Sequence, residues 1–253
     1  MAAAIAGYYE LTGWADRPPA GPYGPYTDFL APRIVVASLM AALERRRETG
    51  VGEHIDLSQT ECALHYLTPA ILDQSVNGRT IQRQGNDDPN IFPHGVFPAE
   101  GDDSWLAIAC SDESWSQLAE LLGLNDLFDA DQTTRREHQS VIDDALGAWS
   151  SVRNSTTAAE ELQALGVAAY PVHDAAGTNS DPQLAHRQHQ VRVPQSHAGT
   201  MWTHSCRTKM SRTPAVLNRG GPCLGEDNFE VLSELLGYSV DQIADLAASE
   251  VLE

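Results

Sequence analysis

By type and position, Asp28 is the residue of this chain best placed to do chemistry. It closes a stretch rich in Pro, Gly and Tyr (residues 16–28), and an apolar, helix-spaced run begins directly after it. Two readings share that geometry. Asp is a preferred helix N-cap, where its carboxylate accepts backbone N–H groups for about 1 kcal/mol, and spacing alone favours this reading. A helix N-terminus also favours an ionised carboxylate, which at the mouth of a loop can serve as nucleophile or general base. Cys110 ends the apolar run Trp105–Ala109 and reads more readily as a buried thiol than as a nucleophile. His186 and His189 form an H-x-x-H pair, with His197 and His204 further on, but no acidic or Cys ligand recurs at metal-binding spacing, so no metal site is expected. Serine-hydrolase, P-loop and dinucleotide signatures do not occur.

The elements that must position these groups follow from punctuation and periodicity. Leu30, Ile34, Val35, Leu39, Met40 and Leu43 predict a helix through Arg47, with Pro32 in its first turn and Gly50 and Gly52 as its stop. His54–Leu57 reads as a short strand. Ser58 and Glu61 then form a capping box for a helix kinked at Pro69 and ended by Asn77-Gly78. Val96-Phe97 and Trp105–Ala109 predict a hairpin. A short helix around Trp115–Leu122 stops at Gly123, another runs from Arg135 to Trp149, and Thr157 with Glu160 caps a third that ends at Gly166. Val167–Val172 is strand-like, and an irregular stretch to about Asn218 is long enough to wrap another surface. Helices return at Phe229–Leu236 and after the Ser239/Gln242 capping box.

Composition limits the partners. The 253 residues carry 16 Lys and Arg against 35 Asp and Glu, a formal charge of −19. Such a chain repels nucleic acid and anionic membranes unless a basic patch intervenes, and Arg45–Arg47 is too small a one. A hydrophobic content of 42% is enough for a real core. Four scattered cysteines without a C-x-x-C pair suit a reducing cytoplasm, and neither a secretion signal nor 18 consecutive apolar residues is found, so no membrane span is expected.

Over essentially its whole length the chain resembles the C-terminal two thirds of family III CoA-transferases, the CaiB/BaiF group that includes formyl-CoA and carnitine CoA-transferases and α-methylacyl-CoA racemase. The residues that carry the resemblance are Leu11-Thr12-Gly13 with Asp16–Pro19, Tyr26–Phe29, Ala41–Arg46 with Thr49–Gly52, Ile55–Ser58 with Glu61, and Gly85-Asn86 with Pro93–Phe97. Later come Gly166-Val167, Asp181-Pro182, Ser211–Pro214 and Leu224–Glu226. Their order and spacing make the match specific. Gly52-Glu53 departs from the usual GQ, and Asp227 stands where the family has a histidine.

The resemblance implies an α/β fold lacking most of an N-terminal Rossmann-like segment, with residues 1–79 in a large domain, 80–190 in a small α+β domain and 191–253 returning to the large one. It makes Asp28 the catalytic nucleophile and places Tyr26, Gly85 and Asn86 as substrate or CoA-loop candidates; a glycine-bearing lid and an ordinary hinge turn are equal alternatives for Gly85-Asn86. The implied substrates are an acyl-CoA thioester and a small carboxylic acid, with no further cofactor. CoA would pass through an aspartyl anhydride and an aspartyl-CoA thioester. Alternatives are racemisation of a 2-methylacyl-CoA with Asp28 as base, or a truncated or split-gene chain inactive without an N-terminal partner. The resemblance further implies an interlocked homodimer, or a complex with a chain supplying the remaining half, which would also hold the CoA phosphates.

Overall fold

The computed structural model describes residues 1–252 and is a mixed α/β structure that divides into two units, Met1–Val172 and His173–Glu253. The first unit opens with two single-turn helices, α1 (Ala2–Ile5) and α2 (Tyr8–Leu11). A loop containing Pro18, Pro19, Pro22 and Pro25 leads into α3 (Tyr26–Thr49). Gly50 ends α3 at φ 74°, a left-handed conformation that costs glycine nothing. Pro32 lies inside α3 rather than in its first turn, so the helix lacks the N–H that would bond the Asp28 carbonyl.

Residues 54–57 form no strand; they run as extended coil into Ser58, whose hydroxyl accepts from Glu61 N at 3.3 Å and caps α4 (Gln59–His65). Pro69 does not kink this helix. It sits in the first turn of a separate one, α5 (Thr68–Asn77), where a missing N–H is tolerated, and Gly78 closes α5 at φ 68°.

The predicted hairpin is present. β1 (His94–Pro98) pairs antiparallel with β2 (Trp105–Ala109), and β2 pairs antiparallel with β3 (Ala168–Pro171), giving sheet order β1-β2-β3. The register puts Phe97 opposite Leu106, and Gly95, Ile108 and Ala169 in one row. That face is buried under α6 (Trp115–Leu121), α8 (Gln139–Ser150) and α9 (Ser155–Ala164), with Leu118, Ile142, Leu146 and Leu162 in the same core. The single helix expected over 135–149 is two, α7 (Gln132–Glu137) and α8, broken at His138. The cap of α9 is Asn154, three residues before Thr157, because its side chain already accepts from Thr156 N and Thr157 N. Two buried polar groups are paired with backbone, Trp115 Nε1 donating to the Leu127 carbonyl (2.7 Å) and Ser150 Oγ to that of Pro98 (2.7 Å), whereas Trp149 Nε1 has no hydrogen-bond partner among the described residues. Arg135 is buried, pairs with Asp112 and lies 5.1 Å from the Trp115 ring.

The second unit corrects the expectation of an irregular stretch. Two short helices, α10 (Ala175–Ser180) and α11 (Pro182–His186), precede an antiparallel hairpin of β4 (Gln190–Gln195) and β5 (Gly199–His204). Buried Asp181 caps α11 through Leu184 N (2.7 Å) and meets His173 Nε2 at 3.2 Å. α12 (Asn228–Glu230) continues into a π-helical turn, and α13 (Val240–Ala248) starts at Ser239 and Gln242, which satisfy each other's backbone N–H as expected.

Candidate active site

Asp28 is not an N-cap. α3 begins two residues earlier, at Tyr26, with Pro25 as its cap residue and no side chain closing it. Four nearby prolines and Gly24 at φ 67° hold the entry loop, and Tyr26 N bonds the Gly24 carbonyl at 2.9 Å. Asp28 is therefore the third helical residue, still within the turn whose dipole favours an anion, but its carboxylate is not spent on the backbone. The side chain is exposed, and among the described residues no ion pair engages it.

Its partner is Gln59, the first residue of α4. The Gln59 side-chain amide donates to Asp28 Oδ1 and also to the hydroxyl oxygen of buried Thr27, at 3.1 Å. A small apolar cluster fixes the two helices under this contact. Ala6, Tyr8, Leu30 and Ala63 are buried together, with Leu64 and Leu67 against them. Tyr8 donates its hydroxyl to the Ala63 carbonyl at 2.8 Å, and its ring meets the Tyr26 ring edge-on with centroids 5.3 Å apart. Burial, with Tyr26 and Tyr66 nearby, raises the Tyr8 phenol above its ordinary range, so the group stays neutral and works as a donor.

Gly85 and Asn86 belong to a different contact. Gly85 N bonds the Gly13 carbonyl at 2.8 Å, and a Cβ at Gly85 would come within 2.8 Å of the Trp14 ring, so only glycine fits there at φ 65°. Arg83 supports the same junction, pairing with Glu10 at 2.7 Å. The Asn86 carbonyl lies 2.6 Å from His94 Nδ1. Asn86, His94, Val96, Ala107, Ala109 and Tyr170 line an open, mostly apolar hollow of about 350 Å³ on the sheet face away from the core. Tyr26 and Asp28 thus share one turn, whereas Gly85 docks on Gly13 and Trp14 and Asn86 on His94 at the sheet.

Cys110 is buried in the sheet core, and burial pushes its thiol up to about 11, so it is no nucleophile near neutrality. His189 and His204 face each other at 3.3 Å; among the described residues no group of three or more His, Cys, Asp or Glu is placed to hold a metal ion. Two of the three arginines at 45–47 are occupied at 2.6 Å by Glu53 and Glu44. By length and composition α3 is apolar enough to cross a membrane, although it carries Asp28, Arg33 and the Glu44–Arg47 charges and packs its first turn on α4. Sequence reasoning missed Gln59. The Ser58 cap places it at the start of a helix, but nothing local shows that this start faces Asp28.

The chain is 31% identical over 258 residues to the succinyl-CoA–D-citramalate CoA-transferase of Chloroflexus aurantiacus, a match covering 98% of this chain and 63% of that protein. It is 29% identical over 262 residues to the beta subunit of that organism's succinyl-CoA–L-malate CoA-transferase, covering 64% of that subunit. The chain thus spans a little under two thirds of either relative. The crystal structure of a CaiB/BaiF family protein from Brucella suis superposes with a TM-score of 0.79 at 25% identity, covering 93% of this chain and 62% of that one. The family model described as CoA-transferase family III matches residues 1–228, and with nine tenths of its length so matched the chain belongs to that family.

Proposed function

We propose that this chain supplies the nucleophile of a CoA transfer between an acyl-CoA thioester and a carboxylic acid, and that Asp28 is that nucleophile. The observation that carries the reading is the state of the Asp28 carboxylate: exposed, at a helix N-terminus, not used as a cap and held by a neutral amide. An oxygen of this carboxylate attacks the thioester carbonyl and expels CoA thiolate, leaving a mixed anhydride on Asp28. The thiolate then attacks Cγ, expelling the first carboxylate and forming an aspartyl-CoA thioester. Attack by the acceptor carboxylate followed by return of the thiolate completes the exchange. One difficult displacement becomes several easier ones. CoA is a substrate in this scheme and no resident cofactor takes part.

The names of the two Chloroflexus relatives support succinyl-CoA as donor and a hydroxylated dicarboxylate as acceptor. The exposed apolar side chains of α3, Val35, Val36, Leu39, Met40 and Leu43, support a working assembly in which further polypeptide covers this helix, from a second copy or from a chain of complementary length. A subunit-built enzyme has a precedent in name, since both alpha and beta subunits of the L-malate transferase are relatives. Residues 1–79 and 191–253 would serve the large domain of such an assembly and residues 80–190 the small one, in a reducing cytoplasm where the four free thiols persist.

The test is CoA exchange from succinyl-CoA to citramalate or malate, with hydroxylamine trapping of the enzyme adduct. Asp28→Ala should abolish exchange, and the wild-type adduct should map to Asp28. Exchange by Asp28→Ala at the wild-type rate would falsify the assignment. Solvent deuterium entering the α-carbon without CoA exchange would turn the reading to a racemase.

A further inference from the structure

We propose that Gln59 is a second functional residue of this site: its amide orients the Asp28 carboxylate and then donates to the oxygen on which charge collects when the aspartyl intermediate is attacked. The inference rests on Asp28 being the nucleophile. Both N–H groups of the Gln59 amide are committed, one to Thr27 Oγ1 at 3.1 Å and one to Asp28 Oδ1. Thr27 is buried and Asp28 is exposed, so the amide bridges from the packed interior to the reactive oxygen. The backbone of Gln59 is itself fixed at the first position of α4 by the Ser58 cap. Every link from core to carboxylate is therefore tied down, which is the requirement for preorganisation.

The chemistry gives that contact two uses. With Oδ1 held, Oδ2 is the oxygen presented to the thioester. An amide does this without neutralising the carboxylate, whereas a Lys or Arg would draw its charge into an ion pair. Once Oδ2 has become the bridging oxygen of the anhydride, Oδ1 is the remaining carbonyl oxygen on Cγ. Attack of CoA thiolate on Cγ pushes the carbonyl electron pair onto Oδ1. Collapse returns it and expels Oδ2 with the departing carboxylate. The Gln59 N–H points at Oδ1 throughout, so it meets the negative charge where it forms. A single donor of this kind is worth about 10²–10³ in kcat in other acyl-transfer enzymes.

The experiment compares wild type, Gln59→Leu, Gln59→Glu and Asp28→Ala as full chains, in whatever assembly the wild type forms, with circular dichroism and thermal melting to establish that each is folded. Gln59→Leu should lower kcat by about 10²–10³-fold with KM changed by less than about threefold. Gln59→Glu keeps the shape but donates only when protonated, so its residual rate should climb as pH falls from 8 to 5 while the wild-type rate does not. Inactive Asp28→Ala together with an unchanged kcat in Gln59→Leu would overturn the role of Gln59 alone. Full activity in Asp28→Ala would instead overturn the nucleophile and the role of Gln59 with it. A second readout does not require turnover: the Gln59 side-chain amide pair in a 1H–15N spectrum should shift on Asp28→Ala, and an unmoved pair overturns the contact on which the proposal stands.

Discussion

Two regions of the first unit are built to different degrees of completeness. Residues 92–169 enclose a core of seventeen buried residues between a three-stranded sheet and its helices, with Leu106, Leu118, Ile142, Leu146 and Leu162 without measurable exposure. The helical segment before it, α1 to α5, buries a cluster of only four, Ala6, Tyr8, Leu30 and Ala63, and leaves most of α3 open along Val35, Val36, Leu39, Met40 and Leu43. Yet the second region carries Asp28. The lesson is a division of labour: the sheet region satisfies its own apolar surface, whereas the segment bearing the candidate nucleophile ties down only the one turn that chemistry needs. That turn is held by Tyr8, Thr27 and Gln59, and the apolar side chains further along the helix stay exposed.

Substitutions sharpen this contrast in descending order. Leu146→Ala removes a fully buried side chain from the sheet core and should cost 2–5 kcal/mol, read by urea unfolding followed through Trp115 and Trp149 fluorescence. Next comes alkaline titration of Cys110 in the same core. Its folded-state value, about 11, lies above the unfolded value near 9.0, so the associated stability is complete below pH 9 and is lost as pH rises through 9 towards 11. The loss should be about 2 kcal/mol by pH 11, and iodoacetamide should fail to label Cys110 at pH 8 without denaturant.

Gly85→Ala forces a side chain into a left-handed position 2.8 Å from Trp14 and should cost about 1–2 kcal/mol, with a visible change in Trp14 fluorescence. Tyr8→Phe removes one of two donors to the Ala63 carbonyl, Tyr66 N remaining at 3.1 Å, and should cost about 1 kcal/mol in thermal unfolding. Leu39→Ala, on the open face of α3, should change the stability of the chain by itself by less than about 0.5 kcal/mol. The comparison breaks if Leu39→Ala proves as costly as Leu146→Ala, since α3 would then be as firmly packed as the sheet core.

Much of the local architecture was legible in the sequence because it depends on local signals. Gly50, Gly78, Gly123 and Gly166 all mark positions where the chain needs positive φ after a helix, and each reads in the sequence as a stop or an end. The β1–β2 hairpin and the Ser239/Gln242 box are likewise signals spanning a few residues. The failures are places where two local signals compete. Asn154 and Thr157 both offer a cap, and Asn154 wins by capturing two amides. His54–Leu57 has strand-like residues but no strand beside it to complete a ladder. The β4–β5 hairpin is not legible because Gly199–His204 is mostly exposed and the apolar alternation of Gln190–Gln195 is confined to Val191 and Val193.

For the candidate site the same boundary applies. By itself the sequence determined that an acid stands where a proline-rich loop meets an apolar helix, that glycine occupies position 85, and, through the order of its motifs, which family the chain belongs to. Only the tertiary structure decided that the helix starts at Tyr26, which frees the Asp28 carboxylate from capping. It also decided that Gln59, thirty-one residues away, supplies the hydrogen bond that orients that carboxylate, and that Gly85 is required by the ring of Trp14. The physical reason is range. Caps, stops and periodicity act over one or two turns of chain, whereas the partner of an exposed carboxylate is set by how two helices pack, and here that packing rests on a few buried side chains far apart in sequence.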